Sequence, residues 1–82
     1  MPRFYFHVRT TEGIEADPEG LTFVDLDAAV ADARTSLFEM MGDDLAVGKQ
    51  TKYLGITITD RRGTPLAEVN ACDAIGLPRS TT

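Results

Sequence analysis

Three residue types are scarce or absent in this sequence, and each scarcity excludes a class of protein. Among 82 residues there is no tryptophan, one histidine and one cysteine, Cys72. One thiol cannot form an internal disulfide, which is typical of a protein from a reducing compartment. One histidine, one cysteine and carboxylates without ligand spacing fall short of the converging ligands that a zinc site requires. We therefore predict no metal and no cofactor.

Long apolar segments and an excess of basic residues are also missing. No apolar window approaches the roughly 18 residues that a transmembrane helix needs, and the N-terminus lacks the apolar run of a secretory signal peptide. Eight basic residues against thirteen acidic ones give a net charge of −5, which opposes binding to phosphate backbones and anionic membranes. The sequence therefore predicts a soluble cytoplasmic protein that does not bind membranes.

The composition is that of an ordinary globular domain, with 43% hydrophobic and 26% charged residues. A chain of this length forms one domain rather than two. Such a domain buries only about 60% of the surface that its unfolded chain exposes, so we expect a thin core. We predict a single α+β domain over residues 1–77 and a loose C-terminal tail over residues 78–82.

The first strand is predicted over residues 3–10, where apolar and polar side chains alternate with the period of two that a half-buried strand shows. Phe4, Phe6 and Val8 fall on one side and are expected to face the core. The opposite side carries Arg3, Tyr5, His7 and Arg9. This strand is the longest and most apolar, so we expect it to be central in its sheet.

Turn signals separate the other predicted strands. Asp17-Pro18-Glu19-Gly20 follows a short second strand at Ile14-Glu15-Ala16, because proline and glycine suit the second and fourth positions of a turn. Alternating residues predict a further hairpin of residues 54–59 and 64–69, joined by Asp60-Arg61-Arg62-Gly63. Pro65 of the returning strand has no N–H to donate, so we expect either that this strand lies at an edge or that Pro65 occupies a position where no hydrogen bond to a neighbouring strand is needed.

One long helix is predicted between the hairpins, because apolar and small residues recur there at steps of three and four. Asp25 or Asp27 is expected to cap its first turn, since a carboxylate accepts the free N–H groups of a helix start. The pattern allows two positions for the C-terminal end of the helix. One lies near Met41, because Gly42 disfavours a helix by about 1 kcal/mol relative to alanine, and the other lies near Val47.

The element order β-β-α-β-β predicts an α+β fold, in which one long helix packs on one face of a four-stranded antiparallel sheet. Across the second hairpin, Leu66 is expected to lie on the same face as Ile58. The predicted core side chains are Phe4, Phe6, Val8, Ile56, Ile58 and Leu66 of the sheet and Val30, Ala33, Leu37 and Met40 of the helix.

Several short motifs occur in an order that indicates one family. They are Met1-Pro2-Arg3-Phe4-Tyr5-Phe6-His7, Asp17-Pro18-Glu19-Gly20, Asp25-Leu26-Asp27-Ala28-Ala29, Ile58-Thr59-Asp60 with Gly63 and Leu66, and Asp73-Ala74. The set spans residues 1–75, and the chain resembles a family of short uncharacterised bacterial proteins known as domain of unknown function 6894. The resemblance implies a small stand-alone cytoplasmic α+β domain and assigns no catalytic role to any residue.

One helix covers one face of the sheet, so the other face is the candidate contact surface. It is predicted to carry Arg3, Tyr5, His7, Arg9 and Tyr53. Aromatic and basic side chains together can bind single-stranded nucleic acid by stacking on its bases. The alternatives are a solvated strand face and a homodimer interface. Because the chain is acidic, self-association is favoured over nucleic-acid binding.

His7 is the one histidine that could act as a general base, but a catalytic histidine needs a nucleophile and an orienting acid, and no such constellation is evident. We therefore expect a non-enzymatic protein-interaction domain that forms a homodimer and has a further protein partner that the sequence does not identify. The alternative is a nucleic-acid-binding or antitoxin-like regulator that uses the first-strand face. The strand-rich start and Ala-rich helix resemble the antitoxin half of toxin–antitoxin pairs of the HicB type, although fold likeness is a poor guide to function.

Overall fold

Five strands and one helix make up the described part of the chain, in a computed structural model that covers residues 1–48 and 50–71. In chain order they are β1 Arg3–Thr10, β2 Gly13–Glu15, β3 Leu21–Thr22, α1 Leu26–Ala46, β4 Tyr53–Thr59 and β5 Pro65–Asn70. The predicted α+β fold is confirmed, with the two-residue β3 as a strand beyond the predicted four. The predictions for Cys72 and for the C-terminal tail lie outside the described residues.

The strand β1 is central in one antiparallel sheet, as predicted. The order across the sheet is β2-β1-β4-β5, and β3 also pairs with β1. Val8 pairs with Glu15 of β2, and Phe4 pairs with Leu21 of β3. The two short strands therefore follow one another along the same edge of β1, and the turn between them passes beside Phe6.

The core lies between α1 and one face of the sheet. Its buried members are Phe4, Ala29, Ala33, Leu37, Met41, Ile56, Ile58 and Val69. The helix contributes every fourth residue, and the small side chains of Ala29 and Ala33 let it approach the sheet closely. Each fully buried large side chain, such as Leu37, stabilises the fold by roughly 1.5–3 kcal/mol relative to exposure. Phe6, Val8, Val30 and Met40 are partly buried against this cluster.

A shift in strand pairing changes which residue of β5 enters the core. Between Ile58 and Thr59 the register shifts, so that Ile58 pairs with Ala67. The prediction that Leu66 shares the core face with Ile58 is therefore wrong: Leu66 is 40% exposed, and Val69 is buried instead. One extra residue in a strand moves the residues beyond it to the opposite face.

The helix α1 begins and ends where its free backbone groups find partners. Oδ1 of the N-cap residue Asp25 accepts a hydrogen bond from the N–H of Ala28 at 2.8 Å. The helix continues through Gly42 to Ala46, so the longer of the two predicted ends is correct. Gly48 follows at a φ of +78°, the left-handed conformation that commonly terminates a helix. Among the described residues, no helix combines the length and apolar character that crossing a membrane requires.

Candidate contact surface

The sheet face opposite α1 is formed by side chains of three neighbouring strands. On β1 it carries the four predicted residues Arg3, Tyr5, His7 and Arg9, which alternate with the core residues. Residues paired across antiparallel strands share a face. The cross-strand neighbours are therefore Gly55, Thr57 and Thr59 of β4 and Glu68 and Asn70 of β5.

Tyr53 lies on the other face of the sheet, which corrects its predicted place on the contact surface. The pairing of β1 with β4 shifts between Arg9 and Thr10, so that Thr10 pairs with Tyr53 while Arg9 pairs with Gly55. Tyr53 consequently packs against the hydrophobic core. The strict alternation from Tyr53 to Thr59 that the sequence suggests is broken by this irregularity.

His7 is held by hydrogen bonds at both ring nitrogens. The backbone N–H of Asp17 donates to Nδ1 at 3.1 Å, so the neutral ring carries its hydrogen on Nε2. Nε2 donates to Oγ1 of Thr59 at 3.0 Å, and that hydroxyl donates to the carbonyl of Asp60 at 3.1 Å. These bonds run in one direction, from the backbone of Asp17 to the backbone of Asp60.

The direction of these bonds bears on the chemistry that His7 can perform. A histidine that activates a hydroxyl nucleophile accepts the hydroxyl hydrogen and donates its other N–H to a carboxylate. His7 instead donates to the Thr59 hydroxyl and accepts from a backbone amide. Thr59 is also only 5% exposed. The arrangement is suited to joining β1, β4 and the turn at Asp17.

Asp17 occupies the gap that β2 and β3 leave along the edge of β1. Its Oδ2 accepts the N–H of Phe6, and its Oδ1 accepts the N–H groups of Glu19 and Gly20, each at 3.1 Å. Burial raises the pKa of Asp17, but the three N–H donors and a smaller electrostatic effect of His7 outweigh it. The pKa of Asp17 therefore lies below its ordinary value. The carboxylate replaces the strand carbonyl with which Phe6 would otherwise pair.

The guanidinium of Arg9 lies over Gly55 and reaches β5. Its Nη2 donates to Oδ1 of Asn70 at 2.9 Å, and its Nε lies 3.8 Å from the carboxylate of Glu68. A Cβ at position 55 would collide with this guanidinium and would lie 2.5 Å from the carbonyl oxygen of Val69. Glycine at this position therefore makes room for Arg9 to cross β4 and join the two strands on either side.

Arg3 is engaged by the turn that precedes β3. Its Nη1 donates to the carbonyl of Glu19 at 2.7 Å and lies 3.4 Å from the carbonyl of Gly20. Gly20 has a φ of +71°, and a Cβ there would lie 2.8 Å from the carbonyl oxygen of Phe4. Both the backbone conformation and the close packing therefore require glycine at this position.

An open cleft of about 410 Å³ lies at one end of the candidate contact surface. Its lining consists of Met1, Arg3, Tyr5, Asp60 and Arg61. The Asp60 carboxylate accepts the N–H groups of Arg62 and Thr64 at 2.8 and 3.0 Å, as expected of a turn residue. The lining therefore combines two guanidinium groups with one carboxylate.

The alternation in β1 does not reveal the partners that its polar side chains use. Asp17, Glu68 and Asn70 bind His7 and Arg9 from other parts of the chain, and only the turn at Asp17 carries a sequence signal. Within residues 1–48 and 50–71, no group of three or more His, Cys, Asp and Glu side chains is placed to hold a metal ion.

These features define a small α+β protein in which one helix covers an antiparallel sheet and internal hydrogen bonds tie together the side chains of the opposite face. The chain belongs to the family described as Domain of unknown function (DUF6894), whose model matches residues 3–72. The resemblance drawn from the ordered motifs is thereby confirmed. No curated protein and no solved structure matches the chain.

Proposed function

We propose that this chain is a small cytoplasmic, non-enzymatic domain that acts through protein–protein contact and associates with a second copy of itself. The observation that carries the proposal is the amount of apolar surface left uncovered. In the described residues, nine large hydrophobic side chains are exposed: Met1, Ile14, Leu21, Val24, Phe38, Leu45, Val47, Leu54 and Leu66. Single exposed apolar residues are normal, but neighbouring ones indicate a contact site.

An aromatic side chain on the helix is the most informative of these residues. Phe38 is 53% exposed and Leu45 is 56% exposed, and they lie seven residues apart on α1, which places them on one face about two turns apart. Aromatic residues are enriched in the centres of protein interfaces, whereas charged residues are depleted there. The exposed pair of Phe38 and Leu45 therefore favours an interface with another protein chain over a surface that contacts only solvent.

The sheet face gives less support to nucleic-acid binding than its composition suggests. The guanidinium of Arg9 is bound to Asn70 and lies near Glu68, and that of Arg3 is bound to the carbonyl of Glu19. A cation that is engaged within the chain must lose those partners before it can bind a phosphate. The net charge of −5 adds repulsion.

An enzymatic role also lacks support on this face. The hydrogen bonds of His7 run toward Thr59 and so oppose the proton transfer that nucleophile activation requires. The polar groups join strands, which is the role we assign to them.

Size-exclusion chromatography with light scattering tests the proposal on the full chain. We expect a mass near twice the 8.9 kDa of the chain at high concentration, falling on dilution. A strict monomer at the highest soluble concentration would overturn self-association. Titration of labelled single- and double-stranded oligonucleotides at low and moderate salt tests the alternative. Tight binding that is lost in Arg3→Ala plus Arg9→Ala would favour the nucleic-acid function instead.

A further inference from the structure

We infer that two copies of the chain associate through one side of α1, with their helices antiparallel and Phe38 of each copy packed over Gly42 of the other. This inference rests on the proposed self-association and names the surface that performs it. We call that surface the helix side patch, and it consists of Arg34, Phe38, Gly42 and Leu45.

The spacing of the helix side patch places it beside the core-facing side of α1. Ala33, Leu37 and Met41 are buried at intervals of four residues, and Arg34, Phe38 and Gly42 each follow one of them directly. One residue corresponds to a rotation of about 100°. The patch therefore lies on the flank of the helix, where a second helix can pack alongside without displacing the sheet.

Within the part of the chain that the structure describes, nothing requires glycine at position 42. A Cβ at this position would meet no atom of another described element within 4 Å, and Gly42 is not among the described glycines with positive φ. Glycine in a helix interior destabilises the helix by about 1 kcal/mol relative to alanine. A glycine between an exposed Phe38 and an exposed Leu45 leaves a shallow depression, and a partner's aromatic ring can approach the backbone there.

The charges of α1 select the antiparallel arrangement. Arg34 is the one basic residue of the helix, and the last turn holds no base, although Asp43 and Asp44 lie close to the helix C-terminus. If Phe38 lies opposite the partner's Gly42, the axis of symmetry passes near position 40, and Arg34 falls opposite the partner's Ala46. The cation then lies near the negative end of the partner helix.

The occupant that fits this surface is a second copy of the chain. The ion pairs within the described residues involve Arg9 and Lys52, and Arg34 takes part in none of them. In a two-fold arrangement, each copy packs its Phe38 ring over Gly42 of the other copy and places its Arg34 near the C-terminal end of the other helix. Both copies then use the same surface, as an isologous interface requires. A parallel arrangement would place the two Arg34 side chains together and the two acidic helix ends together.

The first test compares the concentration dependence of the mass for two matched variants. Phe38→Ala removes the central side chain of the patch, and we expect the dissociation constant to rise about tenfold or more. Leu66→Ala removes a similarly exposed apolar side chain from β5, and we expect no change. If Leu66→Ala dissociates the dimer and Phe38→Ala does not, the interface lies at the sheet edge and the inference is wrong. Circular dichroism of both variants checks that each remains folded.

The second test determines the orientation of the helices by disulfide formation. Cys72 is first replaced by serine, and separate chains are made with Phe38→Cys and with Gly42→Cys. Under mild oxidation, we expect the mixture to give mainly the mixed 38–42 dimer. Disulfides formed chiefly between two identical positions would show a parallel arrangement and would overturn the inference.

The proposed self-association and the helix side patch can be disproved separately. A wild-type chain that stays monomeric removes both the proposed self-association and the helix side patch. A dimer that persists unchanged in Phe38→Ala leaves self-association standing and removes only the helix side patch.

Discussion

The backbone N–H of Asp17 donates a hydrogen bond to Nδ1 of His7 at 3.1 Å. In the neutral ring, this bond places the hydrogen on Nε2, so that His7 donates to Thr59. It also attaches the turn after β2 to the centre of β1. His7 therefore joins β1 to β4 and to the turn at Asp17.

Replacing His7 tests this structural role. His7→Ala leaves the N–H of Asp17 and the nearly buried hydroxyl of Thr59 without their partner, and we expect a loss of about 1–3 kcal/mol in the free energy of unfolding. Urea denaturation measures the change. Glu15→Ala, an exposed substitution on the neighbouring β2, serves as the control and should change stability by less than about 0.5 kcal/mol. Equal effects of the two substitutions would show that the hydrogen bonds of His7 contribute nothing.

The carboxylate of Asp17 makes stability depend on pH in the acid range. Its pKa is lower in the folded protein than its ordinary value, so the folded state favours the charged form. The resulting stabilisation is fully present above the unfolded pKa, about 3.9 for aspartate, and is lost as the pH falls through the folded value. Asp17→Asn should therefore be less stable than wild type near neutral pH, and the difference should shrink on acidification.

Urea denaturation of the wild type and Asp17→Asn from about pH 6 down to about pH 2 measures this difference. Glu19→Ala is the matched control, because its substitution lies in the same turn and leaves the carboxylate of Asp17 in place. A stability difference for Asp17→Asn that stays constant through the acid range would contradict the assignment.

Gly20 and Gly63 separate the effect of backbone conformation from that of close packing. Both have positive φ, but a Cβ at Gly20 would lie 2.8 Å from the carbonyl oxygen of Phe4, whereas a Cβ at Gly63 would meet no atom of residues 1–48 and 50–71 within 4 Å. Gly63→Ala should cost about 1–2 kcal/mol from the left-handed conformation alone. Gly20→Ala should cost more, because the turn must also move away from β1. Thermal unfolding of both variants measures the order, and a smaller effect at Gly20 would contradict the packing described here.

The register of β5 makes opposite predictions for two neighbouring apolar residues. Val69→Ala removes buried methyl groups, and we expect a loss of about 2–3 kcal/mol in the free energy of unfolding. Leu66→Ala shortens an exposed side chain and should change it by less than about 0.5 kcal/mol. The sequence alone predicts Leu66 as the core residue, so a larger effect at position 66 would favour the register expected from the sequence. Urea denaturation of both variants decides between them.

Much of the fold could be predicted because its main elements carry regular patterns. The period of two in β1 reflects a strand with one buried face, and the steps of three and four in α1 reflect a helix on a sheet. The order of these strands and the helix along the chain then allows few ways to pack them into one domain. The Asp25 cap and the Gly48 end follow from residue types that satisfy free backbone groups.

The parts that could not be predicted depend on contacts between distant segments. Tyr53 and Leu66 change faces because of shifts in pairing that no local residue type marks. The attachment of Asp17 to Phe6 depends on the gap between two short strands, which is a property of the assembled sheet.

Amide chemical shifts of the wild-type chain, recorded by NMR over a dilution series, report both whether the chain self-associates and which residues form the contact. We expect concentration-dependent shifts that concentrate at Arg34, Phe38, Gly42 and Leu45, with little change on β1. Spectra that do not change with concentration would contradict self-association, and changes confined to His7 and Arg9 would place the contact on the sheet face instead.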